Sequence, residues 1–365
     1  MRPVHILAIR RGVLSYALAS VVAFAAGGAS GATVVAPGYS LSVFAGPLAG
    51  SSAPDSIAVV GSNVFVSYGN GGNPDGSGGA TSTVAAYSDR GVFQGSVTLA
   101  GHSDGLRYNS ATGRLWSLQN EDGNPNLVLI DPTTLAASTP VPFSSTPHGG
   151  GYDDIAFGPH GTYVSASAPT NDPNAAPAIV DVSLSASQVT VDGAVLAGNA
   201  FAHVLNPGGG LTQLNLQDPD SLIFAPDGRL VLDSQSDKQL VFVSDVGAPG
   251  QSVGVLNLTN SVDDTVFAAG GLQRLLFSDR GSNTIYALTG VFAAGQAISA
   301  ADGANLIGAL NLGDGTMASL VVGLNSPHGE VFTSAVPEPA AWALMIFGCG
   351  CVGGVLRGRK SALPA

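Results

Sequence analysis

The sequence predicts an all-β fold, a six-bladed β-propeller, set between two apolar terminal segments. Three observations predict it. Of 365 residues, 45% are apolar and only 10% charged, with 50 Gly and 22 Pro, a composition suited to short strands and many tight turns. A strand–turn–strand unit returns along the body of the chain. Its leading aspartate recurs at positions 55, 104, 153, 220 and 263, at the roughly 40–50 residues of a four-stranded blade except for the longer interval from 153 to 220, which holds an insertion. No segment between the termini shows a strong 3.6-residue period.

Taken in order, the chain begins with Arg2, Arg10 and Arg11, an apolar run from Val13 to Ala26, and small residues at Ser30-Gly31-Ala32. That is the pattern of a secretory signal peptide over 1–32. The Arg10-Arg11 pair also permits a twin-arginine route. The body, 33–335, follows. Its repeats are Asp55-Ser56-Ile57-Ala58-Val59 with Val64-Phe65-Val66-Ser67; Asp104-Gly105-Leu106-Arg107-Tyr108 with Arg114-Leu115-Trp116-Ser117; and Asp153-Asp154-Ile155-Ala156-Phe157 with Thr162-Tyr163-Val164-Ser165. Next come Asp220-Ser221-Leu222-Ile223-Phe224 with Arg229-Leu230-Val231-Leu232, and Asp263-Asp264-Thr265-Val266-Phe267 with Arg274-Leu275-Leu276-Phe277. A degenerate sixth copy reads Ala318-Ser319-Leu320-Val321-Val322, a turn at Pro327-His328-Gly329, then Glu330-Val331-Phe332-Thr333. Between the halves of each copy stands a turn such as Pro226-Asp227-Gly228, whose Gly or Asn supplies the positive φ that short hairpins need. Third strands follow at 83–87, 127–130, 240–243 and 284–288, and fourth strands at 94–99, 189–196 and 254–258. Residues 199–217 read as an insertion. Tyr39 to Ala45 alternates and is expected to add the outer strand of the last blade, closing the ring.

The last thirty residues have another pattern. Val336-Pro337-Glu338-Pro339 leads into an uncharged apolar stretch from Ala340 to Leu356 and then Arg357-Gly358-Arg359-Lys360. At about 1.5 Å per residue the stretch makes a helix of roughly 25 Å, near the short limit for a bilayer span of roughly 17–25 residues. The basic cluster marks a cytoplasmic end. By itself this is a C-terminal membrane anchor behind a proline-rich linker. The order Pro337-Glu338-Pro339, apolar run, basic tail closely resembles the PEP-CTERM sorting signal of Gram-negative bacteria. That resemblance, over 336–365, implies recognition by an exosortase-type protease, an inner-membrane-anchored intermediate, and delivery to the cell surface or exopolysaccharide matrix. Cys349 and Cys351 both lie in this tail, which leaves the body without a disulfide. A net charge of −12 with 13 Lys and Arg excludes a nucleic-acid partner.

The body resembles bacterial NHL-type and gluconolactonase-type six-bladed propellers. The residues that carry this are the Pro-Asp-Ser-(Ile/Leu) runs at 54–57 and 219–222, Pro226-Asp227-Gly228, and Ser278-Asp279-Arg280-Gly281-Ser282-Asn283-Thr284-Ile285-Tyr286. Gluconolactonase-type enzymes hold one divalent metal with a Glu, an Asn and an Asp. By position the resemblance offers Asp55, Asn120 and Asp233, and Asp55 departs from the expected glutamate.

Asp55, Asp104, Asp153, Asp220 and Asp263 begin the innermost strands, so all can face the channel near one mouth. There they would repel one another unless a cation, protonation or backbone N–H groups offset the charge. Oxygen ligands alone favour Ca²⁺ or another hard divalent cation. The competing reading has each aspartate capping its own turn. Asp233, Asp237, Asp279, Glu121 and Asp122 form a second acidic set, read as solvated loop residues. His160 and His328 read as turn residues standing where Asp227 stands in the fourth repeat. His102 and His148 precede Asp104 and Asp153 and are candidates for the same mouth. The run His148-Gly149-Gly150-Gly151-Tyr152 reads either as a ligand-approach loop or as a plain connection. The loop from Asn70 to Gly79 is a candidate for ordering by a cation. No Gly-x-Ser-x-Gly, His-Glu-x-x-His or phosphate loop is present. Two functions fit: a surface-displayed module binding a polysaccharide or surface protein, or a metal-dependent lactonase or hydrolase with its site at the channel mouth.

Overall fold

The computed structural model describes residues 31–334. The signal peptide expected over 1–32 (but for its last two residues) and the sorting segment expected over 336–365, with Pro337, Glu338 and Pro339, lie outside them. Among the described residues no helix is long and apolar enough to cross a membrane.

Among the described residues six sheets, antiparallel but for one edge pairing in the fourth, make six blades. Blade 1 is Pro54–Val60, Asn63–Tyr68, Thr81–Ser88 and Phe93–Ala100, from the channel outward. Blade 2 is Ser103–Asn109, Arg114–Gln119, Asn126–Ile130 and Val141–Pro142. Blade 3 is Ile155–Phe157, Thr162–Ser165, Pro177–Leu184 and Val189–Ala197. Blade 4 is Pro219–Phe224, Leu230–Ser234, Gln239–Ser244 and Ser252–Asn257. The insertion forms a hairpin, Phe201–Val204 with Leu211–Gln213, that joins the outer edge of blade 4 in parallel with Ser252–Asn257.

Blades 5 and 6 are interleaved, which the repeat pattern did not predict. Thr265–Phe267 does not pair with the hairpin that follows it. It pairs with Ala297–Ala301, and blade 5 continues through Leu306–Leu310 and Met317–Val322 to Thr33–Val34. The hairpin Gly271–Asp279 with Thr284–Phe292 belongs instead to blade 6, between the inner strand Pro327–Ser334 and the outer strand Ser40–Ala45. Gly270 and Gly271, expected as a hairpin turn, carry the crossover, with φ of 96° and 84°. Such values favour glycine. Residues 318–333 are therefore not one hairpin: Met317–Val322 lies in blade 5, and Pro327 starts the inner strand of blade 6. The expected ring closure by 39–45 is observed, and a second N-terminal strand, Thr33–Val34, closes the preceding blade.

The core is six apolar wedges, one between each pair of adjacent blades. Phe65, Val84, Leu106 and Leu115 fill the wedge between blades 1 and 2; Leu275, Phe277, Ile298 and Ile307 fill that between 5 and 6. Alternation along each strand gives every blade two apolar faces. Polar residues collect where the inner strands begin.

Candidate functional site: an acidic channel mouth

Each inner strand opens with a β-bulge. The ladder skips Asp55-Ser56, Asp104-Gly105 and Asp220-Ser221 in blades 1, 2 and 4, and Gly329 in blade 6. In blade 3 the N–H of Asp153 and the C=O of Asp154 both meet Ser165; in blade 5 those of Asp263 and Asp264 both meet Ala300. A bulge takes side chains out of strand register and re-aims them. Here it turns the leading residue of every inner strand to the channel axis.

The result is a cavity of about 350 Å³. Asp55, Asp104, Asp153, Asp220 and Asp263 all line it, and among the described residues no side chain of the five is hydrogen-bonded to the turn of its own blade. Glu121, Asp122, Asp154, Asp218, Asp264 and Asp302 line it as well, against Arg280 and His328 as cationic groups. Asp55, Asp153 and Asp263 are buried, and Asp104 and Asp220 keep some solvent contact at the rim.

His328, expected in a turn, stands in the sixth blade where the other five carry aspartate. Its Nδ1 lies 2.8 Å from Asp263 Oδ1 and 3.7 Å from Asp55 Oδ1. One donor atom from each of Asp55, Asp263 and His328 falls within 4.8 Å of the other two. The three come from consecutive blades, 5, 6 and 1. Ser326 Oγ sits 3.0 Å from His328 Nε2, and Gln235 Nε2 donates to Asp263 Oδ1 at 3.2 Å. These outer contacts fix the ring and the carboxylate as second-sphere groups do at metal centres. The signal for His328 was present in the sequence: Pro327-His328-Gly329 matches Pro54-Asp55-Ser56 and Pro219-Asp220-Ser221 as well as it matches a turn.

Electrostatics follow from burial and crowding. Burial first, then neighbouring carboxylates, pushes Asp104, Asp153 and Asp220 well above the usual carboxylate range. The same causes lift Asp264 to about 8. Burial opposes the charge on His328, but Asp263 and Asp55 outweigh it and hold the imidazole up at about 9. Arg280 lies 3.5 Å from Asp55, which raises the guanidinium pKa further. This mouth favours any cation that can share the carboxylates.

Backbone contacts between blades fix these distances. Ser67 Oγ donates to the carbonyl of Asp104 at 3.2 Å, Gly105 N–H to that of Asp153 at 3.1 Å, and Leu222 N–H to Asp154 Oδ2 at 2.9 Å.

The other sequence-predicted residues divide. His102 is buried behind the wall and touches the cavity only through Glu121, whose Oε2 lies 2.9 Å from its Nδ1. His148 does not line the cavity. Its ring packs on Tyr152, and its Nε2 is held by the carbonyl of Gly151. The glycines beside it are needed for packing: a Cβ on Gly150 would lie 2.1 Å from Ser167 O, and one on Gly151 2.4 Å from the carbonyls of Asn120 and Glu121. Asn120 and Asp233 are also off the cavity, bonded to His102 N and Ser221 Oγ, so the Glu/Asn/Asp metal set implied by resemblance is not assembled. Asp237 and Asp279 hold loops, accepting from Gln217 N and Asn325 N. His160 is exposed in its turn, as expected. The Asn70–Gly79 loop is ordered by its own hydrogen bonds, Asn70 Nδ2 to Thr81 O and Asn73 Nδ2 to Ser77 Oγ among them.

A six-bladed β-propeller with an acidic mouth and a candidate Asp/Asp/His metal site is the class that fold and site define. No known protein family matches the sequence, and no curated protein is similar to it. Among solved structures, the chain is similar to a streptogramin B lyase at 12% identity, covering 80% of this chain and 91% of that one with a TM-score of 0.42. It is similar to the virginiamycin B lyase of Staphylococcus aureus at 11% identity, covering 81% and 96%, TM-score 0.43. The periplasmic gluconolactonase of Pseudomonas aeruginosa matches at 13% identity, covering 78% and 89%, TM-score 0.43.

Proposed function

We propose that the protein is a metal-dependent hydrolase of esters or lactones, with its site at the acidic channel mouth. One observation carries this reading: Asp55, Asp263 and His328 converge from three blades on the wall of a cavity large enough for a small substrate. The donors fit a divalent ion. Three protein ligands leave coordination positions open, as in catalytic rather than structural sites. An imidazole beside two carboxylates suits Zn²⁺, Mn²⁺ or Fe²⁺ better than Ca²⁺, which takes oxygen ligands. When bound, such an ion polarises a carbonyl and makes water acidic enough to attack at neutral pH.

The chain's own residues supply the rest. Ser326 and Gln235 orient two of the ligands. Glu121, braced by His102, presents a carboxylate in the same cavity that can take up a proton from water. Arg280 brings a fixed positive charge opposite a developing oxyanion. The surroundings of the reaction, on the same proposal, are the cell surface or extracellular matrix, which the resemblance of residues 336–365 to a sorting signal supports.

The test is elemental analysis after exhaustive dialysis, followed by a lactone and ester screen. About one retained metal per chain, lost in His328→Ala and in Asp263→Asn, is expected, together with turnover lost in the same variants. A protein that neither retains nor binds a divalent ion overturns the reading. A retained metal with no turnover leaves the binding module, showing its loops to a polysaccharide or surface protein, as the function.

A further inference from the structure

The first residues of the inner strands line the acidic mouth, and their later residues line a second cavity, of about 480 Å³, at the other end of the channel. Asp154 and Asp264 line the mouth and Arg107 lines this second cavity, so their ion pairs lie where the two meet. Arg107 of blade 2 pairs with Asp154 of blade 3 and lies 3.7 Å from Asp264 of blade 5. Beyond it the walls are apolar, with Phe157, Phe224, Phe267 and Phe332 contributed by four different blades.

One residue breaks this pattern. Glu330 lines the apolar cavity where blades 1, 3 and 4 place Ile57, Ile155 and Leu222. It is 1% exposed, and neither carboxyl oxygen has a hydrogen-bond partner among the described residues. An unpartnered buried carboxyl is costly, and native structures keep few of them without a use. Glu330 does not line the acidic mouth. Arg107, which lines the same cavity as Glu330, is already matched by two carboxylates, Asp154 and Asp264. The complement to this site carries an apolar body for the aromatic walls and a positive, hydrogen-bond-donating head for the carboxyl. Aromatic faces also attract cations, and the volume is that of small-molecule pockets.

We propose that this second cavity binds a hydrophobic primary amine, whose ammonium group bonds to Glu330 while its apolar body fills the aromatic funnel. The site is separate from the mouth and stands whether or not the mouth hydrolyses anything.

The probe pair is 2-phenylethylamine and its neutral counterpart 2-phenylethanol, titrated calorimetrically into the full chain. The amine is expected to bind at least about tenfold more tightly than the alcohol. Glu330→Gln should abolish that preference, and Ile223→Trp, which narrows the funnel without touching Glu330, should weaken both probes. Equal affinity for the two probes, or no binding of the amine, overturns the proposal. So does an amine preference that survives Glu330→Gln and disappears in Asp104→Asn, which would put the amine at the mouth. If Glu330→Gln does not fold, Ile223→Trp decides: amine binding unchanged by a filled funnel overturns the site.

Discussion

A single methyl group at position 105 should disturb the mouth more than many larger changes elsewhere. Gly105 sits in the bulge of blade 2 with its backbone against blade 3, where an added Cβ would lie 2.1 Å from the carbonyl oxygen of Asp153. Gly329 of blade 6 stands in the same relation to Asp55 of blade 1, the next blade round the ring, also at 2.1 Å. Backbone cannot give way as a flexible side chain can, so Gly105→Ala should cost about 1–3 kcal/mol and loosen metal retention; a denaturant melt and a metal assay check both. An unchanged midpoint would mean the blades are not in firm contact there. Glu330 gives the opposite sign. Replacing its unpartnered carboxyl by an apolar group of similar size, Glu330→Met, should raise stability by about 1–3 kcal/mol, whatever it does to ligand binding. A destabilised Glu330→Met would show that the carboxyl is satisfied in solution.

At the scale of the element, the ring depends on two short N-terminal strands. Thr33–Val34 ends the sheet of blade 5 and Ser40–Ala45 that of blade 6. The second carries more of the core: Phe44 and Ala45 are buried with Ile57 and Leu276 between blades 6 and 1, and Tyr39 beside it packs on Phe292 at 5.1 Å. Deleting residues up to 34 should lower the melting temperature modestly. Deleting residues up to 45 should abolish the cooperative transition, because the wedge between blades 6 and 1 would be laid open to water. A cooperative melt retained by the longer deletion would show that the interleaved hairpin closes the ring alone. His328 belongs to this scale too, since it reaches Asp263 and Asp55 only because Pro327–Ser334 is the inner strand of blade 6.

Charge acts over the whole molecule. A carboxyl whose pKa is raised by folding holds its proton where the unfolded chain has lost it. Its contribution to stability is complete below the ordinary value and is lost as pH rises through the folded one. For Asp264 that window runs from 3.8 to about 8, and Asp104, Asp153 and Asp220 act in the same direction. Chelator-treated protein should therefore melt at a lower temperature near about pH 8 than near about pH 5. Added Zn²⁺ should recover more at the higher pH, because a bound cation replaces the protons. A metal-free melting temperature that rises over this range would mean the mouth carboxylates are not crowded. The sorting proposal is tested at the same scale. Alanines at Pro337, Glu338 and Pro339 should stop processing and leave the protein at the inner membrane, and unchanged delivery would refute it.

Strand positions were legible in the sequence because a strand is a local object. Alternating side chains in Asn63–Tyr68 or Arg114–Gln119, and a glycine at the turn, specify a hairpin without reference to the rest of the chain. The repeat likewise gave six blades, and it marked the five aspartates that face one another. What it could not give was which hairpin pairs with which strand. Arg274-Leu275-Leu276-Phe277 has the same local form as the second strand of any blade, and only its packing against Ser40–Ala45 and Pro327–Ser334 assigns it to blade 6. That assignment moved His328 from an apparent turn to the site and changed the donor set from oxygen alone to oxygen and nitrogen. Local alternation determined the strands; long-range pairing decided the site, because hydrogen-bonding edges of neighbouring strands are alike and only burial of the wedges between blades distinguishes one partner from another.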